Sequence, residues 1–146
     1  MNNQDLAGTF LRLGIGVFMV LFGTLKFANH EMMSGGVYPA FYGEFTSSMA
    51  VYVLGGIQII GGSLLIIGFR VKRVILVTLL MHTVSVAVTF DKIIHPFDAG
   101  MPPNFLFLAG IPVWTAMVAL YFTGAGRYAI SPDPIKEELP PAEKSD

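Results

Sequence analysis

The sequence predicts an all-α membrane protein, a four-helix transmembrane bundle with both termini on the cytoplasmic side. Three observations carry that prediction. Apolar residues make up 53% of the 146 residues and charged residues only 13%, about half the charged share of a soluble domain. Four apolar stretches each approach the ~20 residues that a helix needs to cross ~30 Å of hydrocarbon. Lys and Arg near the ends of those stretches divide unevenly between two sides.

The stretches fall at about residues 6–28, 48–69, 74–94 and 104–123. Backbone in lipid must satisfy its own hydrogen bonds, so each is read as a helix despite abundant Val and Ile. The opening MNNQD lacks the basic start of a secretory signal, so the first stretch is expected to remain in the mature protein. The short connection RVKR holds Arg70, Lys72 and Arg73, and the chain beyond the fourth stretch adds Arg127, Lys136 and Lys144. With Arg12 in the first turns, seven basic residues stand on that side against Lys26 and Lys92 on the other. The larger set marks the cytoplasm.

The remaining connections have their own signatures. Residues 29–47 carry Tyr38, Phe41, Tyr42 and Phe45 among glycines, and such aromatics favour the headgroup level, so a short stretch lying on the membrane is expected. HPFDAGMPPN is proline-rich and reads as irregular. Residues 1–131 therefore form one four-span domain, and residues 132–146, charged and proline-rich, a disordered cytoplasmic tail.

Several function classes are disfavoured. The net charge of −1 and the lack of a basic face with interleaved aromatics give no argument for a nucleic-acid partner. Without cysteine the chain cannot run thiol–disulfide chemistry or ligate an iron–sulfur cluster. His30, Glu31, Asp91, Lys92, His95 and Asp98 gather with Lys26 near the outer ends but show no metal-ligand spacing, so no metal site is expected and these charges read as solvated. Bis-histidine haem needs two histidines at matching depth, and only His82 lies well inside a span.

Two patterns point inward. Gly16 and Gly23, and likewise Gly55 and Gly62, lie seven residues apart, which returns to nearly the same helix face and lets helices approach closely. Polar residues share those faces. Thr78, His82, Ser85, Thr89 and Lys92 follow steps of four and three, as do Arg12, Gly16, Met19, Gly23, Lys26 and His30. Gln58 lies near the second glycine pair. At ~1.5 Å per residue, Arg12, Gln58 and His82 come to depths of ~9, ~16 and ~12 Å from the cytoplasmic ends of their helices. They are expected to meet in a polar seam of Arg12, Lys26, Gln58, Thr78, His82 and Ser85. That seam either satisfies itself or handles a ligand. Catalytic residues are not identifiable.

LRLGIGVFMVLFGTLKF, LGGIQIIGGSLLIIGFRVKR and GAGRYAI resemble, in order and spacing, the DoxX family of small bacterial membrane proteins. The matching positions are Arg12, Gly16, Gly23 and Lys26 in the first segment and Gly124, Gly126, Arg127 and Tyr128 in the last. The resemblance spans about residues 6–131. Family members often place acids near Gln58 and Asn104; neutral amides here can neither carry a proton nor balance Arg12. The resemblance implies a multi-pass protein of the bacterial inner membrane, linked in some relatives to respiratory quinone chemistry or redox stress. Read together, residues and resemblance give two expectations. The first is a subunit of quinone-linked electron transfer, with quinone as ligand and a membrane or peripheral redox protein as partner. The second is a membrane-embedded assembly factor or scaffold with no catalysis of its own. Transport through four unbroken helices would require a homodimer.

Overall fold

A computed structural model describes residues 3–43, 47–98 and 104–130. Among them there is no strand. Among the described residues three helices are long and apolar enough to cross a membrane: α1 (Asn3–Ala28), α4 (Ser48–Ile67) and α5 (Val71–Val88). Between α1 and α4 the chain winds through α2 (His30–Met32), a π turn (Met33–Val37) and α3 (Tyr38–Tyr42). After α5 come α6 (Phe90–Ile94), a 3₁₀ turn (Asn104–Ala109) and α7 (Gly110–Thr123). These three helices and α7 pack in a ring in chain order, α1 on α4, α4 on α5, α5 on α7 and α7 on α1. Much of the outer surface is apolar, including Phe10, Leu21, Ile60, Leu80 and Phe122, as a bilayer solvent allows.

The boundaries differ from expectation for local reasons. RVKR does not form the whole connection, because α5 begins at Val71 and takes Lys72 and Arg73 into its first turn. Gly68 closes α4 in the left-handed conformation, with Gly68 N–H donating to Leu65 O and Phe69 N–H to Leu64 O. That pair of bonds is the Schellman arrangement, and only Gly68–Arg70 remains as the turn. The third stretch breaks at Thr89, whose hydroxyl donates to Ser85 O at 2.8 Å while its backbone leaves the helical region. Such a side-chain bond competes with the helix. The fourth stretch is a 14-residue α-helix preceded by the 3₁₀ turn. Pro112 in its first turn has no N–H and crowds the carbonyl four residues back, so α winding does not extend further toward Asn104. Phe45 and residues 132–146 lie outside the described residues.

The α1–α4 pair is the tightest contact. A Cβ on Gly16 would sit 2.9 Å from Gly62 O, and one on Gly62 2.6 Å from Gly16 O. Gly23 and Gly55 repeat the arrangement, at 2.7 Å from Gly55 O and 3.1 Å from Gly23 O. Backbone thus meets backbone at two levels one heptad apart, in antiparallel register. Gly14, by contrast, faces open space.

The core sits toward the end where the N-terminus of α1, the Gly68–Arg70 turn and the C-terminus of α7 converge, called here the basic end. Ile15, Met19, Leu65, Val71, Ile75, Met117 and Leu120 form it. A strap, residues 124–130, leaves α7 and crosses this end. Its Ile130 N–H donates to Ile67 O and its Arg127 N–H to Asp5 O. Gly126 touches Asp5 O and Thr9 N where a Cβ would lie, at φ 67°; neither the space nor the conformation suits another residue.

Candidate functional site

The residues expected in one seam separate into two places. At the basic end Arg12 is 2% exposed. Its Nη1 donates to Ile66 O at 2.7 Å and Leu65 O at 3.3 Å, and its Nη2 to Arg127 O at 3.4 Å. The last four carbonyls of a helix have no intrahelical partner, and here all four are satisfied. Leu64 O accepts from Phe69, Leu65 O from Gly68 and Arg12, Ile66 O from Arg12, and Ile67 O from Ile130. The positive guanidinium at a helix C-terminus also complements the macrodipole. Arg12 therefore meets neither Gln58 nor His82. The carbonyls at the end of α4 lie nearer, and they need donors. Thr78, 1% exposed, bonds only its own helix and packs its methyl under Gly61; it lies outside the cavity described next.

At the opposite, far end the other candidates converge. A cavity of about 220 Å³ is bounded by α1, α4, α5 and the start of α7 and roofed by α3 and the 3₁₀ turn; Lys26, Gln58, His82 and Ser85 all line it. Lys26, expected both in the inward seam and among the solvated outer charges, is 1% exposed. Its Nζ donates to Gln58 Oε1 at 2.6 Å and Phe22 O at 3.2 Å, and it faces the rings of Phe22 and Tyr38 at 5.0 and 5.7 Å. The ammonium is held by an amide, a carbonyl and two aromatic faces.

His82 Nε2 lies 3.0 Å from Gly110 O. A carbonyl only accepts, so Nε2 carries the proton, and in a neutral ring Nδ1 is then an acceptor. Phe18 meets the same imidazole edge-on, 6.1 Å between centroids. Across the cavity the Tyr42 hydroxyl lies 3.0 Å from Ser85 Oγ.

Tyr42 and Tyr38 were missed as site residues. Their aromatic loop reads from sequence as an interfacial stretch, but the rings turn inward, because the helix ends leave a gap beneath α3 that aromatic rings fill. Pro39 in the first turn of α3 favours that winding. Burial, and secondarily Tyr42, push the Tyr38 hydroxyl up to about 12. The remaining outer charges behave variously: His95 pairs with Asp91 at 3.2 Å in the open, and His30 stacks on Tyr52 at 3.7 Å. Asn104 is buried and donates to His95 O at 2.8 Å.

A larger groove, about 610 Å³, runs between Phe10, Gly14, Phe18 and Val113 on the outer face of α1 and α7. Its lining side chains are all apolar, so nothing in it would orient a ligand. The far-end cavity combines apolar walls with a few convergent polar groups, the usual makeup of a small-molecule site. Comparison of the chain with family models, curated proteins and solved structures finds no match.

Proposed function

We propose that this chain is a DoxX-like subunit of the bacterial inner membrane that binds a quinone ring and acts with a redox protein partner. In this reading it crosses the bilayer four times, with both termini in the cytoplasm and the far end outward. The observation that carries it is the makeup of the far-end cavity. Lys26 and Gln58 offer donors to a quinone carbonyl, His82 Nδ1 offers an acceptor to a quinol hydroxyl, and Phe18, Phe22 and Phe41 supply flat apolar walls. A ring with two opposed oxygens needs such a slot and such donors. Electrons would come from the partner, since the chain's own residues offer no thiolate ligands.

Mass spectrometry of the protein purified in mild detergent tests the reading, with quinone expected well above its share of bulk lipid. His82→Ala should lose that enrichment while its melting changes by no more than about 1 kcal/mol. Equal quinone in wild type and bulk lipid defeats the proposal. A second reading, the assembly factor, draws on α5, which buries only Val71, Ile75 and Thr78. Its outward face, with Leu76, Val77, Leu80 and Val84, could carry a partner helix. A stoichiometric protein partner without quinone would favour it.

A further inference from the structure

The far-end cavity contains a cation whose charge no described side chain balances. Both oxygens that Lys26 Nζ contacts, Gln58 Oε1 and Phe22 O, are neutral, and so are the two rings it faces. An ammonium has three N–H donors, so one remains for a further partner. Among the described residues lining the cavity none is a carboxylate. The acid nearest Lys26 in the chain, Glu31, is exposed, and the Asp91 carboxylate beside His95 is exposed as well. A buried charge left with only neutral partners is costly, and the strongest relief is an opposite charge at hydrogen-bond distance.

We infer that the preferred occupant of this cavity is an anion: a planar aromatic or quinoid ring bearing an oxygen that is ionised at neutral pH. This rests on the reading of the cavity as a quinone-ring site and adds the charge of the ring it selects. The third N–H of Lys26 meets the charged oxygen, and the amide nitrogen of Gln58, whose oxygen already accepts from Lys26, is free to donate beside it. Phe18 and Phe22, stacked on each other at 5.1 Å, lie along the ring. His82 and the Tyr42–Ser85 pair are left for oxygens on its other edge.

The test compares two probes of one ring system in detergent at neutral pH, corrected for partition into empty micelles. 2-Hydroxy-1,4-naphthoquinone is ionised there, whereas 2-methyl-1,4-naphthoquinone is neutral. The anion should bind at least about tenfold more tightly to the wild-type protein, by titration calorimetry, and Lys26→Met should abolish the preference. Equal binding of the two probes to the wild type overturns the inference and leaves the quinone reading standing. Binding of neither overturns both. Laurate has the charge without the ring, and if it binds as tightly as the hydroxynaphthoquinone, the ring class is wrong. Should Lys26→Met fail to fold, the wild-type ratio decides alone.

Discussion

Among the described residues two cations are buried, and their surroundings differ in kind. Arg12 ends among peptide carbonyls contributed by α4 and the terminal strap, which accept from its Nη1 and Nη2 while its buried Nε has no partner among the described residues. Lys26 ends beside a cavity, with one amide oxygen and one carbonyl as neighbours. The contrast extends to packing. The basic end holds the clustered core of Ile15, Met19, Leu65, Val71, Ile75, Met117 and Leu120, while the far end is hollow and aromatic-lined. A guanidinium suits the first setting because its rigid fork reaches several acceptors at once, and an ammonium suits the second because it is a compact charge with a donor to spare. Burial of a charge is thus no index of function by itself; what separates the two is the cavity that lies beside Lys26 and not beside Arg12.

The contrast can be broken by mutation. Arg12→Ala should cause the largest loss, about 3 kcal/mol, since Ile66 O and Arg127 O lose their charged donors in a buried setting. Thermal melting in mild detergent measures it. Arg12→Lys should recover only part, because an ammonium cannot span the same carbonyls. A melting curve for Arg12→Ala close to that of wild type would remove the basis for calling this end structural.

The glycine seam joins the two ends and should come next. Gly62→Leu has to displace Gly16 O, Met19 and Val20, an overpacking loss of about 2 kcal/mol. Gly14→Leu, where a Cβ meets nothing within 4 Å, should leave melting unchanged. If both variants melt alike, the register of α1 on α4 is wrong.

The three long helices and the close approach of α1 to α4 were legible because lipid demands apolar length, and because a seven-residue glycine period marks one face. Helix stripes place Lys26, Gln58, His82 and Ser85 on inward faces for the same geometric reason. Where Arg12 ends was not legible. Its partners are backbone carbonyls of Leu65, Ile66 and Arg127, and a carbonyl left unpaired at a helix end has no residue type to announce it. Tyr42 was hidden differently. An aromatic loop has the same composition whether it floats on headgroups or turns into a gap, and the gap exists only once four helix ends are in place. The break at Thr89 lies between these cases: a threonine can bond the carbonyl four residues back, but its type alone does not say when it will interrupt the helix.

The smallest effect separates site from scaffold most directly. Tyr42→Phe removes the hydroxyl near Ser85 Oγ and keeps the ring, so stability should fall by at most about 1 kcal/mol. Quinone affinity should change measurably in the same variant. A drop in melting as large as that of Arg12→Ala would show that the roof over the cavity holds the bundle together, and the distinction between its two ends would disappear.

The shell around Arg12 also orders events during synthesis. Arg12 leaves the ribosome well ahead of its partners, with Leu65 and Ile66 following 53 and 54 residues later and Arg127 115 later. Until α4 is inserted, the guanidinium has only headgroups or water to meet, which its position near the start of α1 allows by reaching toward the surface. The strap follows α7 in the chain, so Arg127 O can join only after α7 is made. A nascent chain halted after residue 123 would hold Arg12 with only part of its shell, a state that quality-control proteases could distinguish from the finished protein.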